Sequence, residues 1–413
     1  MFTKFNFSKN NSILALGSEF DTRLAFYCDG EIIFSENIGN LADDEARYEK
    51  FVCDFLGCCG RRANESSAAS MPCVIITDLH PLYTSRKVGE KLAKKWKAKH
   101  LTAQHHIAHI FSAFGDYQMF NDRYEMLNNI FYGIACDGTG YGLDGNIWGG
   151  EVFKCHFERS MAELSGYFAR GQYLIKRIGH LENHYLIGGE LAVEEPARML
   201  ISILSEFLSK QEVFKYVKRY YSENEFNVLS NQLEKKFNCL LSSSAGRVLD
   251  AVSILLGFCE NKRKYKHYPI KMMEDRSAVL DNALPYISCE ITKNTNGEYV
   301  LNIINLFKYL IDNLKKIDKH KLGFAAQRYI IEGLYGIVKR YDMGVGKRIL
   351  DDCSQCKIVL SGGLATNKTI KEFSKDNNIY ISKKIPSGDE GIALGQIIYG
   401  HHTMKSRLET KKN

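Results

Sequence analysis

The chain reads as an α/β protein of two similar halves with a cleft between them. Three observations predict this. Each half opens on strand, turn and strand: 12–17, 22–28 and 31–34 in the first, 129–136 and 147–155 in the second. Each opening gives way to alternating apolar strands and amphipathic helices. Glycine-rich turns directly follow the apolar runs at 129–136 and 357–360.

In the first half, Asp29-Gly30 is a tight-turn signal and makes strands 22–28 and 31–34 a hairpin. Tyr48, Phe51, Val52 and Phe55 recur at helical spacing and predict a helix over 43–56. Residues 57–70 are polar and small, which predicts a loop. Residues 73–77 read as a buried strand, 85–97 as a basic helix and 105–114 as another helix. In the second half a third strand is expected at 164–168 and a long helical region over about 190–262. A hairpin is expected at Asn296-Gly297, then helices over about 303–341. Strands at 357–360 and 379–382 precede a last helix that opens over 391–399. The charged stretch 405–413 is expected to be disordered. The expected division is 1–128 and 129–400, with a tail at 401–413.

The 413 residues are 45% hydrophobic and 25% charged, a balance typical of globular proteins, and the net charge of +7 does not by itself mark a nucleic-acid binder. No apolar run reaches the roughly 20 residues a bilayer span needs. The N-terminus lacks a signal-peptide pattern, so the expected location is the cytoplasm. Twelve cysteines are scattered without a framework and are expected to be reduced. Cys353-x-x-Cys356 lacks the second pair that a structural zinc site would use, and no cysteine stands out as a nucleophile.

Two strings carry chemistry. Gln104-His-His-x-Ala-His109 places three of the chain's twelve histidines within five residues. On a helix His105 and His109 share a face, with Cβ atoms roughly 5–6 Å apart, close enough to grip one divalent metal. Asp389, just before a helix, is a candidate third ligand. The plain alternative is a surface histidine cluster with Asp389 as an N-cap. His106 points about 100° away from His105, which suits a supporting hydrogen bond, with a proton-handling role as the alternative.

The second string is Asp137-Gly-Thr-Gly-Tyr-Gly142. Its small residues would let backbone amides of Gly138 and Thr139 approach phosphate oxygens, and Asp137 could meet a phosphate-bound metal or orient a water. Gly362-Gly363 and Gly188-Gly189 are further small-residue turns. Each alone reads as a tight turn; together they favour a nucleotide. No P-loop or dinucleotide fingerprint is present. Gly246, Arg247 and Asp250 open a helix whose N-terminus and guanidinium would hold an anion, or whose Arg247 simply pairs with a carboxylate.

In order along the chain stand Asp78-Leu-His-Pro81-x-Tyr83, Gln104-His-His-x-Ala-His109, Asp137-Gly-Thr-Gly-Tyr-Gly142, Ile147-Trp-Gly-Gly-Glu151 and Gly188-Gly189. Then come Glu195-Pro-x-Arg198, Ser243-Ser-Ala-Gly-Arg247-x-x-Asp250, Ser361-Gly-Gly363 and Ala393-Leu-Gly-Gln396. Over about residues 12–400 this order closely resembles the C-terminal transferase domain of the HypF family, the carbamoyltransferases of NiFe-hydrogenase maturation. The resemblance implies duplicated actin/Hsp70-like (ASKHA) α/β domains with a nucleotide and metal cleft between them. It is also similar to the tRNA threonylcarbamoyl transferases and the antibiotic O-carbamoyltransferases.

The resemblance further implies a divalent metal, iron ahead of zinc, on His105, His109 and Asp389. It implies a phosphate-facing turn at Asp137, Gly138 and Thr139, and a nucleotide loop at Gly362, Gly363 and Asn367. ATP, AMP or carbamoyl-adenylate would be bound there. The implied reaction is carbamoyl transfer from carbamoyl-adenylate to the C-terminal cysteine of a HypE-type acceptor, with Asp137 or His106 handling the proton. HypF usually carries adenylate-making domains ahead of this one, so a separate carbamoyl-adenylate synthetase is the expected second partner. A lysine of the family's first strand–turn is Asp21 here, its PGGD is Ile187-Gly-Gly-Glu190 and its NDGG is Gly388-Asp-Glu-Gly391; these departures bear on the acceptor. A hydroxyl acceptor, a tRNA acceptor (for which no basic stripe with interleaved aromatics speaks) and a non-catalytic nucleotide-binding subunit are the competing readings.

Overall fold

A computed structural model describes residues 2–4, 12–62, 71–120, 130–159, 171–277, 284–344, 350 and 358–409. The first half consists of β1 (Phe2–Lys4), β2 (Ile13–Ala15), β3 (Arg23–Cys28), β4 (Glu31–Asn37), α1 (Glu45–Arg62), β5 (Val74–Asp78), α2 (Thr84–Trp96), β6 (Lys99–Ala103) and α3 (His105–Phe120). The second begins with β7 (Ile130–Tyr141), β8 (Ile147–Arg159), β9 (Gly171–Leu181), β10 (His184–Ile187), α4 (Leu191–Glu194), α5 (Ala197–Leu204), α6 (Lys210–Val217), α7 (Glu223–Glu234) and β11 (Cys239–Ser242). It continues through α8 (Ala245–Leu255), α9 (Tyr268–Arg276), β12 (Ile291–Lys293), β13 (Tyr299–Leu301), α10 (Ile303–Asn313) and α11 (Lys319–Met343). It closes with β14 (Ile358–Ser361), α12 (Lys368–Asp376), β15 (Ile379–Ile381) and α13 (Ile392–Glu409).

The duplication is visible in strand order. The first sheet runs β4-β3-β2-β5-β6, extended by β1 at one edge, and the second contains β9-β8-β7-β14-β15. In both, three antiparallel strands are followed, beside the first of them, by two parallel ones. This repeated order is the duplicated actin/Hsp70-like α/β fold. The inner parallel strands β5 and β14 are buried along their whole length, as two-sided coverage by helices demands.

Between the sheets lies one shared core. It joins Ile13, Tyr27 and Ile76 of the first sheet, Phe131, Phe153 and Val359 of the second, and the apolar sides of α3 and α13. Helix α3 packs on β7 and β14 while α13 packs on β2, β3 and β5, so each helix also touches the other half's sheet or helix. The two helices cross at backbone contact. A Cβ on Gly395 would fall 1.8 Å from the Ala108 carbonyl oxygen, and one on Gly115 2.1 Å from Ile398 Cδ1. The outer faces carry separate cores, with α1 and α2 on the first sheet and the helices from α5 to α12 on the second.

Several expectations are corrected. Helix α1 runs on to Arg62 where a loop was expected from 57, because Cys59 continues its buried stripe. The helical region over 190–262 is interrupted by β11, which pairs with β10 and touches β8 at Ser242. The short polar strand β6 was not foreseen. Helix α13 continues to Glu409 through much of the stretch expected to be disordered. The strand expected at 164–168 and the pair Cys353 and Cys356 lie outside the described residues. Among the described residues no helix is long and apolar enough to cross a membrane.

Candidate metal centre and nucleotide cleft

Gln104 starts α3. Its side-chain oxygen accepts the Ile107 amide at 3.0 Å, as an N-cap would, and its Nε2 donates to the Tyr141 carbonyl at 3.0 Å. The first turn of α3 is thereby fixed against the end of β7. His105 and His109 then project together, with ring centroids 4.8 Å apart.

Two carboxylates meet them. The pairing of β7 with β8 shifts between Cys136 and Gly140, so Asp137-Gly138-Thr139 forms a bulge within a long strand and not the turn that the sequence suggested. Bulges re-aim side chains, and this one sends Asp137 to the histidines. The other carboxylate is Asp389, on the short connection before α13. His105 Nε2 lies 3.4 Å from Asp137 Oδ2 and 3.7 Å from Asp389 Oδ1; His109 Nε2 lies 3.6 and 3.4 Å from the same atoms. All four ligand atoms fall within 4.8 Å of one another. Asp137 thus stands as a candidate fourth beside the three ligands expected from sequence.

These residues fit a divalent cation. Nε2 of both histidines is buried without a hydrogen-bond partner, and the donor set of two imidazoles and two carboxylates suits a first-row metal. The separations match ligands standing roughly 2.0–2.2 Å from one centre. Behind His105, Asp78 at the end of β5 takes Nδ1 at 2.8 Å, and its other oxygen accepts the His80 amide at 2.9 Å. This fixes Nδ1 as the protonated nitrogen and turns Nε2 towards the centre. Burial works against charge on His105, but Asp78, Asp137 and Asp389 outweigh it and raise its pKa well above the ordinary value. Burial likewise opposes charge on Asp137, yet His105 and His109 hold its carboxyl well below the usual range.

His106 contributes no atom to the quartet. Its Nδ1 is held 3.0 Å from Gln104 Nε2, and burial and the neighbouring His105 push its pKa down, so it is a neutral packed ring. The supporting role expected from its direction on the helix is the one its contacts describe; nothing in them supports proton handling.

The second oxygen of Asp137 leads to the glycine loops. Oδ1 accepts the Gly363 amide at 2.8 Å. Gly362, at φ 100°, has room for no side chain, since a Cβ would fall 2.4 Å from the Cys136 carbonyl oxygen. Gly138 faces open space bounded by Arg247, whose Nη2 would lie 4.0 Å from a Cβ there, and Thr139 beside it is half-buried. Gly246 lets the start of α8 touch the bulge: its Cβ would lie 2.8 Å from Gly138 Cα, and the Ser244 hydroxyl donates to the Gly138 carbonyl.

Other expected contacts prove to be internal. Asp250 is fully buried between Arg247, 2.7 Å away, and Arg263, so Arg247 pairs with that carboxylate while it also bounds the space at Gly138. Burial and Arg247 push the Arg263 pKa down to about 10. Asn367 caps α12 through the Ile370 amide and donates to Gln327 Oε1 at 2.7 Å. Gly188 and Gly189, at φ 86° and 60°, form the tight turn between β10 and α4, with Arg198 packed against Gly188. Three residues at the site were not foreseen. Asp78 supports His105. Lys266 reaches Asp389 Oδ2 at 3.0 Å. His267 lies against Gly363, where a Cβ would meet its Cε1 at 2.7 Å.

Comparison with known proteins agrees with this geometry. Residues 8–116 match the HypF Kae1-like domain, and residues 133–396 match the family described as carbamoyltransferase, Kae1-like domain, second subdomain. The chain is 34% identical over 406 residues to a probable carbamoyltransferase HypF of Methanocaldococcus jannaschii, covering 95% of this chain and 47% of that protein. It is 26% identical to a carbamoyltransferase HypF homolog of Cupriavidus necator, covering 94% of this chain and 91% of that one. It therefore spans about half the length of the M. jannaschii relative and nearly all of the C. necator one. The crystal structure of T. kodakarensis HypF superposes with a TM-score of 0.78 at 26% identity, over 98% of this chain and 49% of that one. A full-length HypF in its phosphate- and nucleotide-bound form shares the fold at the same TM-score and 23% identity, over 98% of this chain and 57% of that one. The chain belongs to the HypF family of Kae1-like carbamoyltransferases.

Proposed function

We propose that this chain transfers a carbamoyl group from carbamoyl-adenylate, bound between the two sheets, to the C-terminal cysteine of a HypE-type acceptor in the cytoplasm. The observation that carries the reading is Asp137. One of its oxygens faces the two histidines and the other is tied to the Gly363 amide, so a metal-ligating quartet and a glycine loop share one carboxylate. A nucleotide phosphate at the glycine loops would lie beside that quartet. The phosphate- and nucleotide-bound state of a HypF with the same fold supports the same ligand class here.

His105, His109, Asp137 and Asp389 would hold the metal, iron by the family resemblance. When bound, such an ion supplies Lewis-acid stabilisation of charge on acyl-phosphate oxygens. The chain's own groups bind and orient the donor. Gly138 and its neighbours line a space that faces Arg247, and Arg247, Arg263 and Lys266 supply positive charge around it. The acceptor sulfur forms a bond to the carbamoyl carbon, the bond from that carbon to the AMP phosphate oxygen breaks, and AMP leaves with the electron pair. An acceptor entering as a thiol gives its proton to AMP or solvent.

The test supplies metal-loaded protein with carbamoyl-adenylate from a separate synthetase and a HypE-type acceptor. Mass spectrometry should show a carbamoyl adduct of the acceptor with matching AMP release. An adduct of equal yield without this protein, or none when the protein is folded, metal-loaded and nucleotide-bound, overturns the reading.

A further inference from the structure

We infer that Asp116 is a positioning residue that sets where Asp389 meets His105 and His109. Asp116 lies on α3, two turns beyond His109, and is fully buried. Its carboxylate takes four donors from a single distant segment. Oδ2 accepts the Tyr380 hydroxyl at 2.8 Å and the Lys383 amide at 2.7 Å. Oδ1 accepts the Lys384 amide at 3.0 Å and the Ile385 amide at 2.8 Å. Three consecutive backbone amides thus converge on one side chain, the arrangement that fixes a loop in a single conformation.

The loop held in this way is the one that delivers Asp389. Beyond Ile385 the Ser387 carbonyl accepts the Gly362 amide at 2.9 Å and the Ser361 hydroxyl at 3.1 Å. The Asp389 carbonyl accepts the Thr22 hydroxyl at 3.0 Å. The segment is therefore anchored at its start by α3, in its middle by the glycine loop and at Asp389 by the first sheet. Only the first anchor sits on the element that also carries both imidazoles. A shift of the loop along α3 changes the distance between Asp389 and the histidines directly, while Asp137, on β7, stays where it is. Binding sites tolerate displacements of only about 0.5 Å.

This inference rests on the metal reading, and the experiment separates the two. Co(II) is titrated into the full chain, reading both affinity and the visible ligand-field spectrum. Wild type should bind Co(II); if it binds none, the metal reading falls and this inference with it. Asp116→Asn keeps the shape but sets an NH2 group against one or two of the three amide donors, according to which oxygen it replaces, and it should bind Co(II) at least about tenfold more weakly with an altered spectrum. The control is Glu182→Gln, which disturbs another carboxylate that receives two backbone amides, those of Ile303 and Ile304, away from the quartet. It should leave Co(II) binding unchanged. Wild-type affinity and spectrum in folded Asp116→Asn, or equal weakening in both variants, overturns the inference. If Asp116→Asn does not fold, Tyr380→Phe removes one of the four donors: weaker Co(II) binding then supports the inference and unchanged binding overturns it.

Discussion

The carboxylate of Asp78 holds His105 Nδ1 at 2.8 Å, and the opposite ring nitrogen faces both Asp137 and Asp389. The contact joins the end of β5 to the start of α3. Removing such an outer partner typically costs roughly 10–100-fold in metal affinity. Asp78→Asn should therefore weaken metal binding by about that factor with the fold intact. Competition against a chromophoric chelator measures it, and equal affinity in the variant would cut the proposed link.

The quartet itself makes a coarser prediction. Anaerobically prepared wild type should carry close to one divalent ion per chain, and the His105→Ala/His109→Ala double variant should carry almost none. Elemental analysis of both proteins decides this. Equal metal content would place any ion elsewhere.

Proton linkage follows from the pKa directions. His105 has a folded pKa raised above the ordinary 6.5. In metal-free protein its stabilising contribution is complete below that value and disappears as pH rises through the higher folded pKa. Asp137 is shifted down, so its contribution is present above the ordinary 3.8 and is lost as pH falls through the lower folded value. Urea unfolding of metal-free protein should thus show stability declining from near neutrality upward, and the decline should shrink in His105→Ala. An identical slope in the two proteins would contradict it.

Gly363 lies between His267 and Asp137, with an ideal Cβ 2.7 Å from His267 Cε1 and 3.2 Å from Asp137 Oδ1. Gly363→Val should push both groups aside and weaken AMP binding at least about tenfold. Calorimetry on the folded variant tests this, and unchanged affinity would move the nucleotide away from this loop.

Gln396 of α13 and Gly17 after β2 exchange two hydrogen bonds, each of 2.9 Å and fully buried. Gln396→Ala leaves the Gly17 amide and carbonyl without these partners, at a cost of roughly 1–3 kcal/mol per unsatisfied group. A fall in urea midpoint with unchanged slope would register it; an unaltered midpoint would mean that water replaces both bonds.

What was legible in the sequence was local. His105 and His109 are four residues apart, so helical geometry alone puts them on one face. The strand openings at residues 12 and 129 carry their own apolar signal. Asp389 was a candidate as a carboxylate just before a helix, and the family resemblance implied the same role; no spacing rule connects it to a helix so far upstream. Asp78 and Gln396 stand in strings that carry the resemblance and Lys266 stands in none, but no role could be read for any of them, since their contacts form only after the sheets and central helices assemble. Asp250 and Asn367 show the converse. Asp250 stands in a string that carries the resemblance and Asn367 is implied by it, and only three dimensions reveal their contacts with Arg263 and Gln327. Strands β6, β10 and β11 escaped notice because they are short and partly polar, so their pairing partners define them more than their own residues do.

The meeting of Gly17 with Gln396 across 379 residues sets a timetable for biosynthesis. At elongation speeds of about 5–20 residues per second, Gly17 waits roughly 20–75 s before Gln396 is made. His109 lies 280 residues before Asp389, so at the same speeds both histidines are without it for roughly 14–56 s. On the proposed metal reading, the full quartet can close only once Asp389 has been made, so binding of the ion follows synthesis of both sheets.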